Sequence, residues 1–493
     1  MANVIVIGAG IGGIAIAGRL ARLGHQVTVL EKNSKPGGRT YKIERDGYCF
    51  DTGPTLFLMP DIFAETDKAL GERMEDHLDL QRIDPTYRVH FDDGASIDLT
   101  GDMPRMREQL DALEPGAFNA MLRYLSEGYR AYHASINSFV GRNFTNILQY
   151  FSPANLPLMF EVKALQKHYS NLKRFFRDPR LRAAFSFQNM YLGLSPYDAM
   201  ATYSLLQYTE LGEGVWFPRG GMYKVIESLE QIATGLGARF RYNASVSQII
   251  TEGNRTTGVA LHGGETLNAD LIIANADTPY VYDKLLPDGM SSRMARMKYT
   301  SSALMFYWGV KGERSPALLH HNVFLADQQY KESFDRIFRD HTLPDRPSFY
   351  LAAPTRTETH FAPADGDSLM ALVPTGHLDE MQTQDWVAMR QRAREVIYKR
   401  LARIGLTDVR ERTLFEESIG PLEYQEQLNL VKGAAFGLSH NFMQVGYLRP
   451  HNRHSRYGNL YFVGASTHPG TGLPLVLLSA KLVEERIKKE IRE

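Results

Sequence analysis

The chain has 493 residues, more than one compact core accommodates, so two or three domains are expected. Hydrophobic residues make up 43% and charged residues 23%, as in ordinary globular proteins, and Lys+Arg and Asp+Glu balance at 56 each, which argues against nucleic-acid binding steered by global charge. The one cysteine, Cys49, excludes an intrachain disulfide and Cys-rich metal sites and suits a reducing compartment.

The N-terminus lacks the basic start of a signal peptide. No window reaches the roughly eighteen uninterrupted apolar residues of a membrane-spanning helix. Any membrane contact is therefore expected to be peripheral, on the cytoplasmic side. Val4–Ile7 is a β-branched run that predicts a buried strand. Three glycines follow at the spacing of a dinucleotide site: Gly8 for a sharp turn, Gly10 for backbone contact with a pyrophosphate, Gly13 for close packing of the next helix. Apolar residues recur at helical intervals from Ile11 to Leu23, and free N–H groups at the start of that helix suit phosphate. Gln26–Leu30 predicts a second strand with Glu31 at its tip and Lys32 beside it in the candidate site. A carboxylate there accepts both hydroxyls of an adenosine ribose and repels a 2′-phosphate, which selects FAD or NAD over NADP.

Lys35-Pro-Gly-Gly38-Arg39 gives a loop able to run past a pyrophosphate with one cation in it. Phe50 to Pro54 reads as a strand end and turn in which Gly53 lets the backbone pass close to a flat ligand. Alternation from Ile83 to Leu99 around Asp92-Asp-Gly94 predicts a hairpin. Residues 103–211 read as mostly helical. Within them, the stretch from Phe139 to Arg182 sets apolar and aromatic residues before a basic run from Lys163 to Arg182. That pattern fits either an interfacial helix among lipid headgroups or a solvated basic face over a core. Asp178 and Arg182 open a helix that can face a substrate; Asp178 before Pro179 equally suits a plain helix N-cap.

Trp216-Phe-Pro-Arg219-Gly-Gly221 precedes a predicted helix from Tyr223 to Leu236, followed by a predicted strand from Phe240 to Val246. Asp270 to Ala274 predicts a buried strand ending in a polar turn at Asn275. Residues 278 to about 415 alternate strand-like runs with a charged helix, Asp385 to Ile404. No second glycine fingerprint appears, so no separate nicotinamide domain is expected. Near the carboxyl end, Leu460–Val463 predicts a strand, and Gly464-Ala-Ser-Thr-His468-Pro-Gly470-Thr-Gly472-Leu473-Pro474 leads into a helix from Leu475 to Ile491. That helix start would stabilise negative charge on a ligand above the loop.

Together these motifs resemble the glutathione-reductase-type flavoproteins, in the branch of amine oxidases, protoporphyrinogen oxidase and carotenoid desaturases, and most specifically the bacterial and fungal phytoene desaturases. The resemblance runs end to end and is tightest in the first sixty and last forty residues. It implies an α/β fold: a Rossmann-type FAD-binding domain of the glutathione-reductase and amine-oxidase type (1–80, 213–277, 421–493), interleaved with a mixed-sheet substrate domain (81–110, 278–420) and a helical membrane-associated subdomain (111–212). It implies non-covalent FAD, a long apolar polyene substrate, a membrane surface as partner, and a quinone or oxygen as electron acceptor. Implied FAD contacts are Gly8, Gly10, Gly13, Glu31, Lys32, Gly38, Arg39, Gly53, Pro54, Val246, Asn275, Gly464, Gly472, Leu473 and Pro474. Polar assistance to catalysis is expected from Arg219, His468, Asp178 and Arg182, and a metal from none. The implied activity is stepwise desaturation of phytoene. Thirty-carbon desaturation, later carotenoid desaturation, amine or porphyrinogen oxidation, and a non-enzymatic prenyl-protein carrier are the alternatives.

Overall fold

A computed structural model describes residues 1–492. Its first layer is a five-stranded parallel sheet. In chain order the strands are Asn3–Ile7, Gln26–Leu30, Arg239–Arg241, Leu271–Ala274 and Leu460–Phe462. In space the third, second, first, fourth and fifth lie side by side, all parallel. Val4 to Ile7 are buried on both faces, which is why that strand needs no alternation. The strand order reverses beside it, and a crevice opens there past the carboxyl ends. The helix Ile11–Arg22 packs against Tyr223–Gly235 and against the closing helix Leu473–Arg492. A buried ion pair, Arg19 Nη1 to Glu484 Oε2 at 2.7 Å, joins the first helix to the last.

The predicted strand from Phe240 to Val246 is divided. The chain leaves the sheet after Arg241, turns through Asn243 in the left-handed region (φ 53°), and starts a three-stranded antiparallel meander at Val246. Asparagine tolerates that backbone better than most residues. The bend is tied down where Asn243 N–H donates to the Asn33 carbonyl and Ala244 N–H to that of Glu31.

A second sheet has seven strands, from Thr413–Ile419 at one edge through Ser302–Lys311, Gly366–Thr375, Phe349–Ala352 and His321–Phe324 to the hairpin Tyr87–His90 and Ser96–Leu99. Only the His321–Phe324 and Tyr87–His90 pair is parallel. Leu304, Phe306 and Trp308 pack with Trp386 and Ile397 of the charged helix Trp386–Arg403. Ala303, Met305 and Tyr307, on the opposite face, form the roof of the cavity described below. Asp385 caps that helix, accepting from Ala388 N–H at 2.9 Å. The predicted hairpin is shorter than its pattern: Ile83 belongs to Leu80–Ile83, which pairs with Val215–Pro218 in a separate ribbon.

Against the hairpin end of the second sheet pack the helices Met103–Leu113 and Ala117–Ser135 and a series of short ones. The stretch after Phe139 is broken into Ile147–Tyr150, Asn155–Glu161, His168–Leu172 and Pro179–Ala184, so no single interfacial helix forms. Pro157 and Pro179 fix such breaks, since proline is tolerated only in a first helical turn. No helix of the described residues is long and apolar enough to cross a membrane.

Asp51 locks the two layers together. Its buried carboxylate accepts from Met222 N–H at 2.8 Å and Tyr223 N–H at 2.9 Å, the otherwise unsatisfied start of the helix Tyr223–Gly235. Replacing Asp51 by Ala leaves two buried donors without an acceptor and should lower stability by about 1–3 kcal/mol, read from urea denaturation.

Candidate functional site

A cavity of about 1330 Å³ begins in the crevice of the parallel sheet and continues beneath the second sheet into the helical region. It exceeds the roughly 300–1,000 Å³ of ordinary small-molecule sites, so it has room for a dinucleotide and a further ligand.

Its polar end comes from the three separated parts of the chain that carry the glycine motifs. Glu31, 5% exposed, accepts from Ala9 N–H at 2.8 Å and Asn33 N–H at 2.9 Å, which holds the carboxylate at the strand tip. Lys32 Nζ is 3.0 Å from Asn429 Oδ1 and 3.2 Å from the Glu426 carbonyl. Gly8 turns at φ 98°. A Cβ on Gly13 would lie 2.1 Å from the Gly8 carbonyl oxygen, so the third glycine serves packing of helix on strand, and Gly13 is absent from the cavity wall. No side chain caps the helix at Gly10, which leaves its first N–H groups facing the cavity for an anion. Gly38, Gly53, Pro54, Val246 and Asn275 line the same end, as do Gly464, Gly472, Leu473 and Pro474. The closing helix begins at Leu473, two residues before its predicted start, and points a second N-terminus at the same space.

Arg39 is half-buried on the wall, Nη1 donating to the Ala435 carbonyl at 3.0 Å. Burial pushes its pKa down, and nearby Asp277 offsets part of the effect. One oxygen of Asp277 accepts from Ser466 Oγ at 2.5 Å; the other, Oδ2, is buried without a partner. Burial holds this carboxyl above the usual carboxylate range.

His468 also lines the cavity. Burial lowers its pKa to about 4, so the imidazole is neutral near pH 7. Its Nε2 is 3.1 Å from the Arg142 carbonyl, and Nδ1 has no partner. The other three expected catalytic residues lie elsewhere. Arg219 is 61% exposed and pairs with Asp79 at 2.6 Å, because the turn before the helix Tyr223–Gly235 directs it outward while Asp51 occupies the inward position. Asp178 is the N-cap of Pro179–Ala184 and pairs with Arg180 at 2.7 Å. Arg182 lies over the Tyr169 ring, 5.6 Å from its centroid, as Leu181, Ala183 and Ala184 of that helix turn into the helical core.

Arg449 escaped the sequence reading. Fully buried, it donates to the carbonyls of Leu438, Ser439, Gln444, Ala465 and Thr467, so one guanidinium fastens the closing glycine loop to the segment before it. Burial lowers its pKa to about 10. Leu448-Arg-Pro carries no motif, and carbonyl acceptors leave no trace in side-chain identity. Asp277 had a weak signal, a polar turn after a buried strand.

The comparisons agree with this geometry. Residues 11–487 match the family of flavin containing amine oxidoreductases, and the chain belongs to that family. Among its relatives is the zeta-carotene-forming phytoene desaturase of Myxococcus xanthus, 46% identical over 98% of this chain and 93% of that protein. The phytoene desaturase of Phycomyces blakesleeanus is 43% identical over 98% of this chain and 85% of its own length. An oxidoreductase from Methanosarcina mazei, 16% identical, shares the fold at a TM-score of 0.65, covering 98% of this chain and all of that one. Within the family, the chain is of the phytoene-desaturase type of carotenoid desaturase, an FAD-dependent oxidoreductase.

The residues present fit FAD. Backbone glycine forms the crevice floor, where a Cβ on Gly10 would come within 2.8 Å of Asn275 Oδ1. Two helix starts and Arg39 offer donors, and Glu31 offers an acceptor. Gly13→Val should therefore yield colourless protein, whereas Asp178→Ala should purify with its full flavin absorbance. The ratio of visible to ultraviolet absorbance checks both.

Proposed function

We propose that this chain desaturates phytoene stepwise towards more conjugated carotenes, converting CH2–CH2 beside a polyene into CH=CH. The observation that carries this reading is the continuity of one cavity from the glycine crevice into a wall of Met159, Val162, Met190, Leu206, Phe334 and Leu372. A long hydrocarbon threaded through that wall meets the crevice with its reacting carbons held in place, and orientation is most of what the protein must supply. FAD, when bound, supplies the hydride acceptor. We assign its adenosine to Glu31, Lys32 and Val246, its pyrophosphate to Gly8, Gly10, Gly38 and Arg39, and its ring to Gly53, Pro54, Gly464, Gly472, Leu473 and Pro474. Asn275 sits between the last two groups. His468, neutral and on the wall, contributes polarity rather than charge. Oxygen or a membrane quinone takes the electrons onward.

Substrate reaches this site from a membrane surface. Leu148, Phe160 and Leu165 are 77%, 72% and 70% exposed, while their neighbours Tyr150, Met159, Val162 and Ala164 line the cavity, so an apolar exterior adjoins an apolar interior. Membrane-interacting surfaces are where such exposure is expected. The basic run adds less than its count suggests. Lys163 pairs with Glu127, Arg177 with Glu114 and Arg180 with Asp178, which leaves Lys167, Lys173 and Arg174 as its exposed cations without a carboxylate partner.

Expression in a phytoene-accumulating bacterium should produce coloured carotenes, identified by absorption spectrum and mass; unchanged phytoene beside conversion of a thirty-carbon precursor would move the assignment to that substrate. Replacing Leu148, Phe160 and Leu165 together by Glu should abolish co-sedimentation with anionic vesicles while the flavin content stays full.

A further inference from the structure

The removal of a hydride from one carbon leaves a proton to be taken from its neighbour, and the expected catalytic residues Arg219, Asp178 and Arg182 are too far out to take it. Behind the cavity wall, however, a carboxylate is joined to it by phenol groups. Tyr191 lines the cavity. Its hydroxyl is 2.5 Å from that of Tyr87, which is itself fully buried and donates to Glu210 Oε1 at 3.0 Å. Gln188 Nε2 holds the other oxygen, Oε2, at 3.1 Å. Glu210 is 1% exposed, and every hydrogen bond it receives comes from a neutral donor: Tyr87, Gln188 and Tyr191. A buried carboxylate without a cation is costly and calls for an explanation.

The cluster adjoins the expected flavin side of the cavity. Tyr350 donates to Thr55 Oγ1 at 2.9 Å, next to Gly53 and Pro54, and its hydroxyl is 2.6 Å from His321 Nδ1. The His321 ring is 5.6 Å from that of Tyr87. His321 is no competing base: burial and neighbouring His320 push its pKa well below the ordinary value. Tyr124 and Tyr350 are the other titratable groups facing this network, and burial raises both phenols.

We propose that Tyr191, Tyr87 and Glu210 form the proton exit of the desaturation, with Tyr191 as the group at the substrate and Glu210 as the terminal acceptor. The inference rests on the desaturase reading above. The C–H bond of the neighbouring carbon breaks, and its electron pair closes the new C=C. Its proton passes to the Tyr191 oxygen as the Tyr191 proton moves to Tyr87 and the Tyr87 proton to the Glu210 carboxylate. Both phenols end neutral and Glu210 ends as the acid, which releases its proton before the next round. Burial raises its pKa from 4.5 to about 7, where a group can both accept and release a proton near neutrality.

The test compares wild type, E210Q and Y191F as FAD-loaded enzymes on phytoene in lipid vesicles. Wild-type kcat should rise with pH through about 7. E210Q and Y191F should each lose roughly 100-fold in kcat, the lower end of what a positioned acid or base contributes, with KM and flavin content held. E210Q should also lose the limb near pH 7. A second readout needs no turnover. A carboxylic-acid infrared band should titrate near pH 7 in wild type, vanish in E210Q and persist in Y191F. Because the folded-state value is raised, the contribution of Glu210 to stability is full below pH 4.5 and lost as pH rises through about 7; the melting temperature of E210Q should lack that decline. Full kcat with a wild-type pH profile in either variant overturns the proposal, and if E210Q does not fold, Y191F decides alone. Wild type that makes no desaturated product refutes instead the reading on which it rests.

Discussion

The approach of one helix to one strand sets the rest of this structure in place. Helix Ile11–Arg22 lies so close to the end of Asn3–Ile7 that a single methyl group on Gly13 would sit 2.1 Å from the Gly8 carbonyl oxygen. That closeness aims the uncapped helix start into the crevice rather than past it. It also lets Val463 and Val476 close over Gly12, where a Cβ would come within 2.6 Å of one and 2.7 Å of the other. The carboxyl-terminal loop and helix can thus complete a crevice opened by the first ten residues. Arg19 with Glu484 and Arg449 with its five carbonyls fasten the same junction from either side.

The two halves of the cavity obey opposite rules. The crevice is built from backbone, with few side chains and those charged or amide, because a dinucleotide is recognised by its phosphates and hydroxyls. The other half is built from side chains, because a hydrocarbon offers nothing to hydrogen-bond and is held by shape and exclusion of water. Glu210 and His468 are polar exceptions on or behind that wall, and each is buried enough to shift towards its neutral form.

What the sequence disclosed follows the same division. The crevice was legible because backbone recognition demands glycine at fixed spacing, and of the residues named for FAD only Gly13 is off the cavity wall, in its expected packing role. Strands buried on both faces, such as Ser302–Lys311 and Gly366–Thr375, announce themselves as apolar runs. Of the residues named for catalysis, His468 lies on the cavity wall and the other three do not. Arg219 stands beside two glycines, but a turn can direct its side chain either way, and Asp51, remote in sequence, fills the inner position. Asp178 and Arg182 sit on a short helix whose buried face is decided by Leu181, Ala183 and Ala184, not by the charges. Glu210 and Arg449 have no local pattern because their partners come from other elements. The strand expected to run from Phe240 to Val246 failed at Asn243, where hydrogen bonds to residues 31 and 33 outweighed β propensity.

The first strand of the parallel sheet has Gln26–Leu30 on one side and Leu271–Ala274 on the other, and the sheet is not finished until Leu460–Phe462 joins. During synthesis the opening βαβ unit must therefore wait with both edges unpaired until Arg239–Arg241 and Leu271–Ala274 are made, and the outer edge of Leu271–Ala274 waits in turn for Leu460–Phe462. Cofactor capture therefore requires the segment that follows Leu460: a chain stopped before it carries the fingerprint but cannot assemble the pocket. Such a fragment exposes strand edges and apolar surface, the features that bring chains to chaperones and proteases. Interleaving thus couples cofactor acquisition to the presence of segments more than 450 residues apart in the chain.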